Sequence, residues 1–229
     1  MKVVTIIQAR TTSSRLPNKV LLEIYGKSLL ERVIDQCQKI KNSDEVWVVT
    51  STHQNDDLVE VLCERKNVPC HRGSLEDVRG RFYHVAKKQN ADIIVRVTAD
   101  NPFTEPEIAE DLIDFLKENS DKYDYVRMQK PIIIEGSHSE VFTMDALEKS
   151  VNEYDDDRNR EHVTPAMIEE MKMFETVPTN KDLVTEKPYF TGVDTFSDFK
   201  KATYLFQKFG EQDTLKHLIK EINKNGKAI

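Results

Sequence analysis

The 229-residue chain is short of the residues that crosslink or interrupt a fold: three cysteines, seven glycines and eight prolines. Cys37, Cys63 and Cys70 are odd in number and lack metal-ligand spacing, so they give no disulfide framework. Reduced, mostly buried thiols are expected instead. No apolar run approaches the roughly 20 residues that span a bilayer. The apolar start at Val3 ends by Gln8 and Arg10, too soon for a signal peptide. A cytoplasmic protein without membrane insertion is expected. An excess of positive charge is also missing: 33 Lys and Arg stand against 40 Asp and Glu, a net charge of -7. That balance argues against non-specific nucleic-acid binding. It leaves room for a local basic cleft of the kind a small polyanion needs.

What is present is an alternation of strand and helix patterns. Residues 3–7 form a compact β-branched run that reads as a buried strand. Residues 45–50, 68–71, 92–97 and 123–127 read as further strands. Helical spacing recurs at Leu29, Leu30, Val33, Ile34 and Cys37, then over 57–66, 76–89 and 106–118, with Pro106 opening the last. Such alternation predicts an α/β fold with an open, mostly parallel sheet and helices on both faces. Ligands of such sheets bind at the carboxyl ends of the strands. After residue 128 the pattern loosens. Short strands are expected at 132–134, 141–143 and 190–193, and helices at 144–151, 161–171, 199–209 and 214–222. One domain over 1–229, with a smaller inserted lobe at about 128–190, is the predicted organisation.

The loop after the first strand holds Arg10, Arg15 and Lys19, four hydroxyls (Thr11, Thr12, Ser13 and Ser14) and no acid. A triphosphate needs fixed positive charge, hydroxyl and backbone donors, and a helix start ahead. The paired glycines of a Walker loop are absent. Two carboxylates follow apolar strand patterns, Asp100 before Pro102 and Asp194 before Thr195. At one sheet edge they suit Mg²⁺, a hard cation held by one or two carboxylates plus phosphate oxygens. Each feature has a structural alternative: a solvated basic turn for the loop, and a helix or turn cap for each aspartate. The acidic run Asp155, Asp156 and Asp157 is a rival metal site that also suits a solvated loop.

Five segments carry a resemblance. Gln-Ala-Arg at 8–10, the hydroxyl stretch, and Arg-Leu-Pro-Asn-Lys at 15–19 come first. Arg72, Gly73, Ser74, Asp77 and Val78 follow, then Val97, Thr98, Ala99, Asp100, Asn101 and Pro102. Arg-Glu-His-Val-Thr-Pro at 160–165 and Val-Asp-Thr-Phe-Ser-Asp-Phe at 193–199 complete the set. Together they resemble the cytidylyltransferases that activate acidic sugars, most of all the spore coat polysaccharide biosynthesis protein F group. The chain departs from the pattern at Asn18 and Ala99, where relatives have Gly, and at Phe196, where they have Pro. Mid-loop, Thr12 or a neighbour stands for a Gly. Ser137 and His138 replace a Leu-Asp pair.

The resemblance implies a Rossmann-like sheet of the nucleotide-diphospho-sugar transferase type and transfer of CMP from CTP to an acidic, sugar-like acceptor. It places Gln8, Ala9, Arg10, Ser14 and Lys19 at the nucleotide, with Arg72, Ser74 and Thr98 at the base. Arg10, Arg15, Lys19 and Asp100 become catalytic, and Asp100 and Asp194 become Mg²⁺ ligands. His138, Glu140, Arg160 and His162 become acceptor residues, and a homodimer is expected. The rivals are a glycosyltransferase using a preformed nucleotide sugar and a nucleotide-binding protein without activity.

Overall fold

The first strand, β1 (Val3–Gln8), buries both faces: Val3 and Ile7 on one side, Val4 and Ile6 on the other. The computed structural model describes residues 1–130 and 132–225. After β1 come a two-residue hairpin, β2 (Glu23–Ile24) with β3 (Lys27–Ser28), then α1 (Leu29–Cys37), β4 (Glu45–Ser51) and α2 (Asp57–Arg65). The chain continues through β5 (Cys70–Gly73), α3 (Val78–Lys88), β6 (Ile93–Thr98) and α4 (Pro106–Asn119). Then follow β7 (Tyr125–Met128), β8 (Glu140–Thr143), α5 (Met144–Glu153), α6 (Asp157–His162), α7 (Pro165–Glu170), β9 (Met173–Thr176), α8 (Phe196–Phe209) and α9 (Thr214–Asn225).

Seven strands form one sheet in the order β5-β4-β1-β6-β8-β7-β9. The left half is parallel, with β1 between β4 and β6. Strand β8 runs antiparallel to both β6 and β7, and β9 returns parallel to β7. The sheet is open and mostly parallel, as the alternation of patterns predicts. Helices α1, α2, α4, α8 and α9 contribute to the core on one face, α3, α5 and α7 to that on the other. Capping boxes start α1 (Ser28 with Glu31) and α8 (Thr195 with Asp198), so two helices near the cleft begin at defined points.

The second half of the chain differs from the expectation in particulars. Residues 132–134 and 190–193 do not form strands; they run side by side through a single bridge, Glu135 to Phe190. The approach there depends on Gly136, whose φ is +93° and whose missing Cβ would stand 2.4 Å from the Gly192 nitrogen. The helix expected at 161–171 is two short helices, α6 and α7. They break at Val163, where φ is +69°, and restart at Pro165. The third strand begins at Cys70 rather than Val68, because Pro69 has no N–H to give the ladder. Strand β9 and the β2–β3 hairpin are additions to the sequence reading. Strands β8 and β9, both from the 128–190 segment, extend the main sheet. Among the described residues no helix is long and apolar enough to cross a membrane. Cys37 and Cys63 are buried and Cys70 is half-buried, all as free thiols.

Candidate active site

At the carboxyl ends of β1 and β6 lies a cleft of about 380 Å³. The loop after β1 forms one wall, from Ala9 to Lys19. Its fold is held from below by Asp56, which is fully buried. One Asp56 oxygen accepts from the Thr11 backbone N–H and hydroxyl, both at 2.7 Å. The other accepts from Ser51 N–H and its hydroxyl at the end of β4. Burial raises the Asp56 pKa, but the hydrogen bonds from Ser51 and Thr11 outweigh it and hold the carboxyl below its usual range. At the loop's far end Asn18 takes the left-handed conformation, φ 59°, which an Asn tolerates better than most residues other than Gly. Lys19 is thereby turned inward.

The Lys19 ammonium stands between two carboxylates, 2.7 Å from Asp100 Oδ2 and 2.9 Å from Asp194 Oδ1. Two local devices bring these aspartates together. Val193 N–H donates to Asp100 O at 2.9 Å, so the segment before Asp194 lies against the turn after β6. Thr195 provides the cap of α8 through its hydroxyl, leaving the Asp194 carboxylate uncommitted to capping. Arg15 reaches Asp194 Oδ1 at 2.9 Å, and Arg10 reaches Glu161 Oε1 at 3.2 Å. Four of the expected cleft residues therefore meet in one ionic constellation: Arg15, Lys19, Asp100 and Asp194. Gln8, Ala9, Arg10, Ser14, Thr98 and His162 line the same cleft.

Other expected site residues are placed elsewhere. Arg72 turns away from the cleft and onto α2. It donates to Glu60 at 2.9 Å, Asp57 at 2.6 Å, Ser51 O at 3.0 Å and His53 O at 3.1 Å. Ser74 is outside the lining, and Asp77, not Ser74, caps α3 by accepting from Gly80 N–H at 2.7 Å. Glu140 lies in β8 opposite Arg96 of β6, whose guanidinium it binds, with the Tyr125 hydroxyl at 2.5 Å. Burial raises the Glu140 pKa; Arg96 and Tyr125 reverse this and keep the carboxylate ionised. His138 is half-buried beside it, with Nδ1 lacking a hydrogen-bond partner, and burial lowers its pKa. Arg160 points to Asp155, at 2.6 and 2.8 Å. The acidic run is occupied in the same way: Asp156 caps α6 and Asp155 binds Arg160 and Arg79.

Val20 and Arg81 line the cleft without having been singled out in the sequence, and Val78 and Glu161, quoted there only as parts of motifs, line it too. Arg81 had a signal. Val78, Phe82 and Val85 mark the inward face of α3, and position 81 lies three residues after the first and four before the last. Arg81 is 2% exposed, and burial lowers its pKa to about 10, so it remains a cation at neutral pH.

The chain matches the family model for cytidylyltransferases over residues 4–223. It is 30% identical over 231 residues to the spore coat polysaccharide biosynthesis protein SpsF of Bacillus subtilis, covering 97% of this chain and 95% of that protein. A 3-deoxy-manno-octulosonate cytidylyltransferase of Escherichia coli is 30% identical over 118 residues, 52% of this chain and 47% of that one. Among solved structures, a cytidylyltransferase from Leptospira borgpetersenii superposes with a TM-score of 0.88 at 28% identity, covering 99% of this chain and 95% of that one. With the cationic loop facing two carboxylates across a sheet-edge cleft, these findings agree: the chain belongs to the cytidylyltransferase family and is a CTP-dependent nucleotidyltransferase.

Proposed function

We propose that this enzyme transfers CMP from CTP to a hydroxyl of an acidic, sugar-like acceptor, with release of pyrophosphate. The observation that carries the reading is Lys19 poised between Asp100 and Asp194, with Arg10 and Arg15 on the same cleft. The relatives named for polysaccharide and 3-deoxy-manno-octulosonate chemistry favour an acidic sugar as the acceptor.

The two carboxylates suit a hard divalent ion. Their side chains are each 29% exposed, and their oxygens converge on the one Lys19 ammonium. Among the described residues no cluster of three or more metal-ligating side chains occurs, which fits an ion completed by phosphate oxygens and water. When bound, Mg²⁺ supplies positive charge against the α-phosphate and lowers the pKa of the acceptor hydroxyl. Arg10, Arg15 and Lys19 bind the β- and γ-phosphates and stabilise the charge that builds on departing pyrophosphate. The loop holds the triphosphate so that the acceptor oxygen attacks phosphorus in line, and positioning supplies much of the acceleration. Glu161 and His162, exposed residues of the lining, are the groups offered to the acceptor. Glu140, on β8 and bound to Arg96 and Tyr125, and His138, just before that strand, support the acceptor side from outside the cleft lining. The reading extends to a homodimer formed through the 128–190 segment and to a cytoplasmic location.

A melting experiment tests the nucleotide and metal parts. CTP with Mg²⁺ at about 100 times its Kd stabilises by roughly 2.7 kcal/mol. For 229 residues that corresponds to a rise of several degrees. UTP, GTP and ATP produce a smaller rise, and omission of Mg²⁺ reduces the CTP effect. An equal rise with all four nucleotides would contradict the reading.

A further inference from the structure

Arg81 carries an unfilled hydrogen-bonding capacity. Its Nε and Nη1 are buried without any partner, although the side chain lines the cleft. Buried guanidinium N–H groups are ordinarily satisfied, and one that is not points to a missing ligand. Of the charges that act on it, Asp56 and Asp77 attract it and Arg10 repels it. Room for the Arg81 stem exists because residue 73 is glycine. A Cβ there would stand 2.7 Å from Arg81 Cγ.

The position in the sheet identifies which part of the nucleotide Arg81 meets. Asp100 follows β6, on one side of β1. Gly73 ends β5 and Asp56 follows β4, both on the other side. Arg81 packs against that second side, with the phosphate-binding loop in between. A nucleotide whose reacting phosphate faces Asp100 and Asp194 extends its nucleoside toward Arg81. Val78 and Ala9, 3% and 4% exposed, line the cleft there and offer apolar contact to a flat ring. Arg72 is not available for the task, since Glu60, Asp57 and two backbone carbonyls occupy its guanidinium.

We propose that Arg81 is the residue by which this enzyme distinguishes cytosine from uracil, its guanidinium donating to the adjacent O2 and N3 acceptors of the base. This rests on the CMP-transfer reading. Of the two pyrimidines only cytosine presents acceptors at both positions. Uracil carries N3–H, which would face a guanidinium N–H and leave both donors unmatched. A bidentate arginine contact of this kind discriminates between bases by about 10- to 100-fold.

The test is calorimetric titration of CTP and UTP, each with Mg²⁺, into the wild type, Arg81→Lys and Arg81→Met, with melting curves to verify folding. The wild type binds CTP at least about tenfold more tightly than UTP. Both variants lose this preference through weaker CTP binding, while the Kd for UTP changes by less than about threefold. Lysine keeps the charge and loses the paired donors, so Arg81→Lys separates readout of the base from simple charge. Equal losses for CTP and UTP, or a folded variant that keeps the preference, overturn the assignment of Arg81 alone. A wild type that does not bind CTP overturns the transfer reading and this assignment with it. Should neither variant fold, the wild type can be titrated with the triphosphate of the pyrimidin-2-one riboside, which keeps O2 and N3 but lacks the exocyclic amine. Binding within about tenfold of CTP supports Arg81 as the reader. Binding no better than UTP overturns it, since the amine would then be what is read.

Discussion

Replacing Asp100 with alanine reduces kcat by roughly 10³-fold or more, equivalent to about 4 kcal/mol of transition-state stabilisation. Asp100 is one of two carboxylates that converge on the Lys19 ammonium, and among the described residues its side chain bonds to that lysine alone. Lys19 keeps Asp194 at 2.9 Å when Asp100 is removed, so no buried charge is stranded. The Asp100 backbone carbonyl, which receives Val193 N–H, is untouched by the substitution. Stability therefore changes little, with the melting temperature moving by less than about 4 °C. Activity and stability thus separate: initial rates of pyrophosphate release fall, while melting curves without ligand nearly coincide. A variant that turns over at the wild-type rate would remove Asp100 from the chemistry.

Lys19→Met has the second largest effect and a less obvious signature. In the nucleotide-free protein Lys19 bonds to both carboxylates at once. On the proposed mechanism, incoming phosphates would compete for the same ammonium and release carboxylate oxygens for the metal. Loss of the cation lowers kcat/KM for CTP by about 10²- to 10³-fold, the usual cost of deleting one preorganised donor to developing charge. The same substitution strengthens binding of the bare ion. A unit positive charge about 4 Å from the site opposes a divalent cation by several kcal/mol even at an effective dielectric of 20, so removing it tightens Mn²⁺ binding by about tenfold or more. Paramagnetic titration of Mn²⁺ without nucleotide reads this directly. Weaker Mn²⁺ binding in Lys19→Met would contradict the placement of the metal at these two aspartates.

Much of this site was legible in the sequence because its parts are local. The β-branched runs of β1, β4 and β6 bury both faces, and their apolar continuity reveals interior parallel strands. Arg10 and Asp100 each lie two residues beyond a strand end, of β1 and β6, where open α/β sheets place ligands. Asp194, by contrast, follows a segment that forms no strand and reaches the site through the bond from Val193 N–H to Asp100 O. The remainder depends on long-range pairing. Glu140 is opposite Arg96 because β8 turns antiparallel onto β6, and nothing in the 140–143 segment announces that register. Arg72 meets α2 rather than the cleft because Asp57 and Glu60 present carboxylates on the neighbouring helix. The break between α6 and α7 was partly readable, since Pro165 has no N–H for a continuing helix and suits the first position of a new one. The positive φ of Val163 was not, as β-branched residues avoid that region.

The central claim is that the chain moves CMP, leaving pyrophosphate behind. It is tested most directly by following CTP labelled separately at the α- and γ-phosphorus during incubation with Mg²⁺ and a panel of acidic sugars. The account predicts that the α label appears in an acceptor-linked product while the γ label leaves as pyrophosphate, both only when one of the sugars is present. Release of the γ label as inorganic phosphate, with the α label remaining in CDP, would contradict it.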